Sequence, residues 1–240
     1  HAGLAAALVG RQRVGPGGAM VGHAGYTNLV SVACFDVLLG GETSVRHDEL
    51  LANPESSAYY AHLDCCGAHL IGGNLGDRLA FGSARAAAVC AALGMTSQVN
   101  MEPGTSFAQR VAFISPLWRA LESLPGKIVR YHNPAYAPTR AIASDGDLYP
   151  AVWQADSGKA LVIVTNLSDK PASGTVRLEL GELDVPARSS IGSLPIEGLS
   201  QNCRVEGSTV VLKDVPPQQY TALLVGTSGT GKSTKSSRKK

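Results

Sequence analysis

The chain has 240 residues, of which 44% are hydrophobic and 17% charged. That composition excludes an intrinsically disordered protein and suffices for one large core or two modest ones. The formal net charge is only +2, and Lys232, Lys235, Arg238, Lys239 and Lys240 crowd the extreme C-terminus, so no body-wide basic surface for nucleic acid is expected.

No apolar stretch is long enough to span a bilayer, and no membrane partner is expected. The start at His1 reads as a truncated or processed chain, since glycines and Pro16 interrupt any signal-peptide pattern. Cys34, Cys65, Cys66, Cys90 and Cys203 form an odd set with one adjacent pair and no CxxC. That is a poor disulfide framework and a poor zinc site.

Leu4 to Val9 predicts a short helix. Residues 11–25 read as a loop, because five glycines and a proline disfavour any regular element. Leu29 to Leu39, ending in Gly40-Gly41, fits a buried strand, with a buried helix start as the competing reading. Pro54 to His62 predicts a helix capped by Asn53. Gly67 to Ile71 predicts a strand, Asp77 to Leu93 an Ala-rich helix stopped by Gly94, and Met95 to Met101 a strand. Phe107 to Leu124 predicts a second long helix, with Val111, Ile114, Leu117, Trp118 and Leu121 on one apolar face and a new turn or kink at Pro116.

Near residue 140 the pattern changes. Tyr131 to Arg140, with Pro134 and Pro138, reads as a connection. Beyond it, strands are expected at Ala151–Gln154, Ala160–Asn166, Gly174–Leu180, Glu182–Val185, Thr209–Leu212 and Tyr220–Val225, separated by turns rich in Gly, Pro and Asp. Short strands at that spacing favour a β-sandwich. The expected fold is therefore α/β, part of a β/α barrel over residues 1–138, followed by an all-β sandwich over 139–225. Residues 226–240 hold no apolar side chain and read as a disordered basic tail.

Gly226 to Ser233 matches the phosphate-loop pattern GxxxxGK[ST]. The chemistry also needs a following helix whose N-terminus faces the phosphates, and an acidic strand further on. Neither fits into the seven residues after Ser233, so a solvated tail is the better reading and no cofactor is expected.

Three acids stand where a barrel would place reactive groups, beyond strand C-termini: Asp36, Glu42 and Glu102. Glycoside hydrolysis uses two such carboxyl groups, one protonated and one ionised. Burial within its apolar run would raise the pKa of Asp36. The competing reading makes Asp36 a core cap, Glu42 a loop acid and Glu102 a turn acid. Asp64 is a weaker fourth candidate. His23, His47, His62, His69 and His132 lack metal spacing. Trp118 reads as core, and Trp153 as an anchor between domains.

Several stretches together resemble the C-terminal portion of a barrel-type glycoside hydrolase with its appended β-sandwich. They are Phe35-Asp36-Val37-Leu38-Leu39-Gly40-Gly41-Glu42, the helices at Ala84–Leu93 and Arg110–Leu124, Tyr149 to Gln154, Ala160 to Ser168, and Val215 to Val225. The resemblance implies hydrolysis of O-glycosidic bonds by paired carboxylates, a carbohydrate substrate, and association through an exposed barrel edge. It also implies an incomplete active site, because the early strands are absent. The alternative is a non-catalytic β-sandwich that binds or scaffolds.

Overall fold

The computed structural model describes residues 2–15, 18, 20–23, 37–39, 69–72, 88, 91–92, 95–97, 106–132, 140–186 and 189–227. Helix α1 spans Ala2–Val14. It outruns the predicted Leu4–Val9 and takes in Arg11 to Val14, which read as loop. It stops at Gly15, whose φ of 72° is left-handed and suits glycine as a helix terminator. Among the described residues the next strands are β1 (Val21–His23), β2 (Val37–Leu39), β3 (His69–Gly72) and β4 (Met95–Ser97), paired in parallel in that order.

Helix α2 spans Phe107–Glu122. Ser106 opens it with a reciprocal cap: its hydroxyl accepts from Gln109 N at 3.2 Å, and its own N–H donates to the Gln109 side chain at 3.0 Å. The helix continues through Pro116, where a new turn or kink was expected. Its buried side carries Leu117 and Ala120, joined by Leu124, and Trp118 is 36% exposed instead of lying in the core.

The remaining strands are β5 (Ile128–His132), β6 (Ala141–Ala143), β7 (Leu148–Ala155), β8 (Ala160–Asn166), β9 (Ala172–Leu178), β10 (Ser190–Ser193), β11 (Cys203–Glu206), β12 (Thr209–Val215) and β13 (Tyr220–Thr227). They form two antiparallel sheets, β10-β13-β8-β7-β5 and β11-β12-β9-β6. One face of the five-stranded sheet, with Val152, Val162, Val164, Leu223 and Val225, packs on Val176, Leu178, Val210 and Leu212 of the other sheet. The opposite face, with Trp153, Leu161, Ile163 and Ala222, packs on Leu117, Ala120 and Leu124 and on Ala91. Strand β8 is therefore buried along its whole length, and it reads as a continuous apolar run because both faces are covered. Pro150 lies beyond the last β5–β7 pair, His132 with Val152, where its missing N–H disrupts no ladder on that side.

These elements correct the expected fold class. A partial β/α barrel requires long parallel strands alternating with helices. Among the described residues parallel pairing is confined to strands of three or four residues, the helices are α1 and α2 with helical positions at 88, 91 and 92, and most strands are antiparallel in a sandwich. The Ala-rich run misled because small side chains suit close packing on any sheet. Ala91 joins the core on the sandwich's own five-stranded sheet rather than an outer barrel ring, so no barrel edge is invoked as an association surface. Glu182–Val185, expected as a strand, is a turn, and β1, β5, β6, β10 and β11 were not anticipated. The predicted helix at Pro54 to His62 and the tail from residue 228 lie outside the described residues.

Candidate functional site

Asp36, Glu42, Glu102 and Asp64 all fall outside the described residues. The structure brings together a different set of polar groups, at the mouth of the sandwich beside the edge strand β5. A cleft of about 480 Å³ opens there, walled by Val129 and Arg130 of β5, the β7 end and the turn from Gln154 to Lys159, and Leu183 with Asp184.

Gln154 of its lining is also one partner of a buried polar pair. Arg130 and His132 are two residues apart on β5, so they share a face, and Arg130 pairs in register with Gln154. His132 and Gln154 are buried. The Gln154 amide donates to the carbonyl of Leu183, which leaves its oxygen to accept from His132 Nε2. The neutral Nε2–H tautomer of His132 follows. Above this pair, Arg130 Nη1 lies 2.6 Å from Asp184 Oδ2. Asp184 holds a left-handed backbone at φ 49°, a conformation that costs most residues energy. On the opposite wall, Asp156 Oδ1 accepts from Lys127 N at 2.9 Å. Gly126, at φ 97°, leaves the room this needs, since a Cβ there would stand 2.5 Å from that oxygen.

The cleft can hold a ligand by hydrogen bonds. Asp156 and Asp184 are both exposed, and each already accepts from a donor, Lys127 N and Arg130 respectively. Among the described residues no group of three His, Cys, Asp or Glu side chains is placed to hold a metal, and no helix is long and apolar enough to cross a membrane.

Burial pushes the His132 imidazole from 6.5 down to about 4. Arg140 and Arg130 act in the same direction, while the Gln154 bond and Asp184 oppose them. The unfolded imidazole takes its proton near pH 6.5. Between about pH 6.5 and 4 the unfolded chain therefore binds more protons, and stability falls as pH drops through that window. The loss is on the order of 3 kcal/mol. Urea midpoints are expected to decline from pH 7 toward pH 4 in the native chain, and the decline should flatten in His132→Gln, which keeps a hydrogen-bonding side chain without the titration. An unchanged slope would remove His132 as its source.

Other motifs resolve differently. Asn166-Leu167-Ser168 is a glycosylation sequon, yet Asn166 is fully buried and its amide donates to the carbonyls of Lys170, Val215 and Pro216, so it is closed to modification in the folded chain. Gly226 and Thr227, the first residues of the phosphate-loop pattern, end strand β13, which lies between β10 and β8 in an antiparallel sheet. A phosphate loop follows a parallel strand and opens a helix. Trp153 is buried in the core that joins the sheet to α2 and Ala91. Cys203 is a free, half-buried thiol, and burial pushes its pKa up. The other four cysteines lie outside the described residues.

The cleft escaped sequence reading because its parts come from distant segments. The alternation of Arg130 and His132 in Ile-Val-Arg-Tyr-His was the one local signal, and it stood in a stretch that partly read as a connection.

No protein-family model matches the chain, and no curated protein matches it. Solved structures do. A GH27 β-L-arabinopyranosidase from Geobacillus stearothermophilus is similar over 95% of this chain and 55% of its own, at 12% identity and a TM-score of 0.54. A maltogenic α-amylase, AmyB, from Thermotoga neapolitana is similar over 94% of this chain and 59% of its own, at 12% identity and a TM-score of 0.47. The first shows a fold shared with a glycoside hydrolase. The chain spans little more than half the length of either protein.

Proposed function

We propose that the chain is part of a carbohydrate-active protein of the glycosidase kind, with the sandwich as its non-catalytic portion. The observation that carries this reading is the fold shared with the GH27 arabinopyranosidase across nearly the whole chain. In this reading Asp36, Glu42 or Glu102 supply the paired carboxylates, one protonating the leaving oxygen and one acting as base or nucleophile.

The test is hydrolysis of a panel of chromogenic glycosides by the intact chain and by Asp36→Asn, Glu42→Gln and Glu102→Gln. Removing a working acid or base is expected to lower kcat by about 100-fold or more. Turnover untouched by all three substitutions would dismiss these carboxylates. Absence of turnover in a demonstrably folded chain would dismiss hydrolysis and leave the second reading, a sandwich that binds without catalysis. The cleft favours that second reading, since its carboxylates are exposed and each is held by a donor from another segment.

A further inference from the structure

Two costly features converge on one turn at the sandwich mouth. The His132–Gln154 pair places polar groups in the interior, where apolar side chains would avoid desolvation. Its outward bond goes to the Leu183 carbonyl, pinning the turn from beneath. The next residue, Asp184, is a non-glycine residue at φ 49° and is clamped by Arg130. Backbone strain of this kind clusters at ligand-binding sites, and here it sits beside a buried polar pair.

The lining gives its chemical class. Asp184 spends Oδ2 on Arg130, and Asp156 spends Oδ1 on Lys127 N, so each offers its second oxygen. Arg130 retains further N–H donors beyond the one facing Asp184. The Lys159 ammonium has no partner among the described residues, and its stem lies against Gly226, where a Cβ would come 3.1 Å from Lys159 Cγ. Two cations and two anions cancel, which favours a neutral ligand over an anion. Donors and acceptors lining one cleft together with the apolar Val129, Ala155 and Leu183 suit the hydroxyls and carbon ring of a sugar. The volume of about 480 Å³ falls in the range of small-molecule sites.

The geometry points to a saccharide-binding site in this cleft, with Asp184 and Asp156 accepting from ligand hydroxyls and Arg130 and Lys159 donating to them. The inference rests on the carbohydrate-active reading and adds to it a binding site separate from Asp36, Glu42 and Glu102.

The experiment is calorimetric titration of the intact chain with neutral methyl glycosides and oligosaccharides, a uronic acid, and inorganic phosphate. Asp184→Gly and Lys159→Ala are titrated alongside. Glycine suits the left-handed backbone at 184, so Asp184→Gly removes the carboxylate without straining the fold, and its urea midpoint checks this. Saturable binding of a neutral saccharide is expected, weakened about tenfold or more by each variant. Three results would overturn the site: no saturable saccharide binding, binding indifferent to both variants, or preference for phosphate or the uronic acid. Chromogenic turnover is read on the same samples. Turnover that persists without cleft binding defeats this site alone, and cleft binding without turnover defeats hydrolysis alone.

Discussion

Trp153→Ala is expected to destabilise the chain by about 3–5 kcal/mol, a large part of the 5–15 kcal/mol typical of a folded domain. The indole is 1% exposed and sits where the five-stranded sheet meets α2 and Ala91. Truncation would leave a cavity between layers that rigid strands cannot close. Tyr131 would also lose its ring neighbour, now 5.2 Å away at 58°, and Tyr131 ties the sheet to the preceding helical segment through its hydroxyl, which donates to the Ala92 carbonyl at 2.5 Å. Trp153→Phe separates two contributions. It keeps most of the volume and removes an indole N–H that is buried without a hydrogen-bond partner, so its cost should be only about 1 kcal/mol. Urea unfolding compares the variants. Fluorescence offers a second readout: Trp118, the other tryptophan, is partly exposed, so emission from Trp153→Ala should shift to the red. An alanine variant as stable as the native chain would mean that Trp153 does not join these layers.

Legibility followed local pattern. Strand β8 was predicted to the residue, because Ala160 to Asn166 is an unbroken β-branched and apolar run between turn residues. Helix α2 was legible from the spacing of Leu117 and Leu121, although Trp118 falls one position round from the buried side; its Ser106–Gln109 cap was not read from the sequence. Strand β10, Ser190–Ser193, was invisible because small polar side chains carry little pattern. The sequence Glu182-Leu183-Asp184-Val185 alternates like a strand, and the left-handed backbone at Asp184 is what turns it away. The barrel reading overreached for a related reason: alanine-rich helices and short apolar runs do not encode which sheet they will cover. The cleft was least legible. Arg130 and Asp184 are 54 residues apart, and nothing local marks either as the other's partner.

Asn166→Ala is the second substitution with a large expected effect, about 2–4 kcal/mol. The side chain closes a corner where three segments meet. Its amide nitrogen donates to Lys170 O at 2.7 Å, Val215 O at 2.8 Å and Pro216 O at 3.2 Å. Its oxygen accepts from Ser168 N at 2.9 Å and from the Ser168 hydroxyl at 2.8 Å. Alanine would leave those carbonyls without their donor in a site closed to bulk water. Asn166→Asp sharpens the test at nearly constant volume. At neutral pH a carboxylate would face three carbonyl oxygens with no hydrogen to offer, so this variant should be at least as unstable as alanine. Burial and those oxygens would raise the folded-state pKa of the new carboxyl above its unfolded value of about 3.9. The folded chain then binds more protons between the two values, so stability relative to the native chain should recover as pH falls through that window. This is opposite in sign to the slope expected from His132, and urea midpoints from pH 7 down to pH 4 distinguish the two. A variant indifferent to both substitution and pH would show that the corner is held by backbone pairing alone, through Asn166 N to Gln219 O and Gln218 N to Asn166 O.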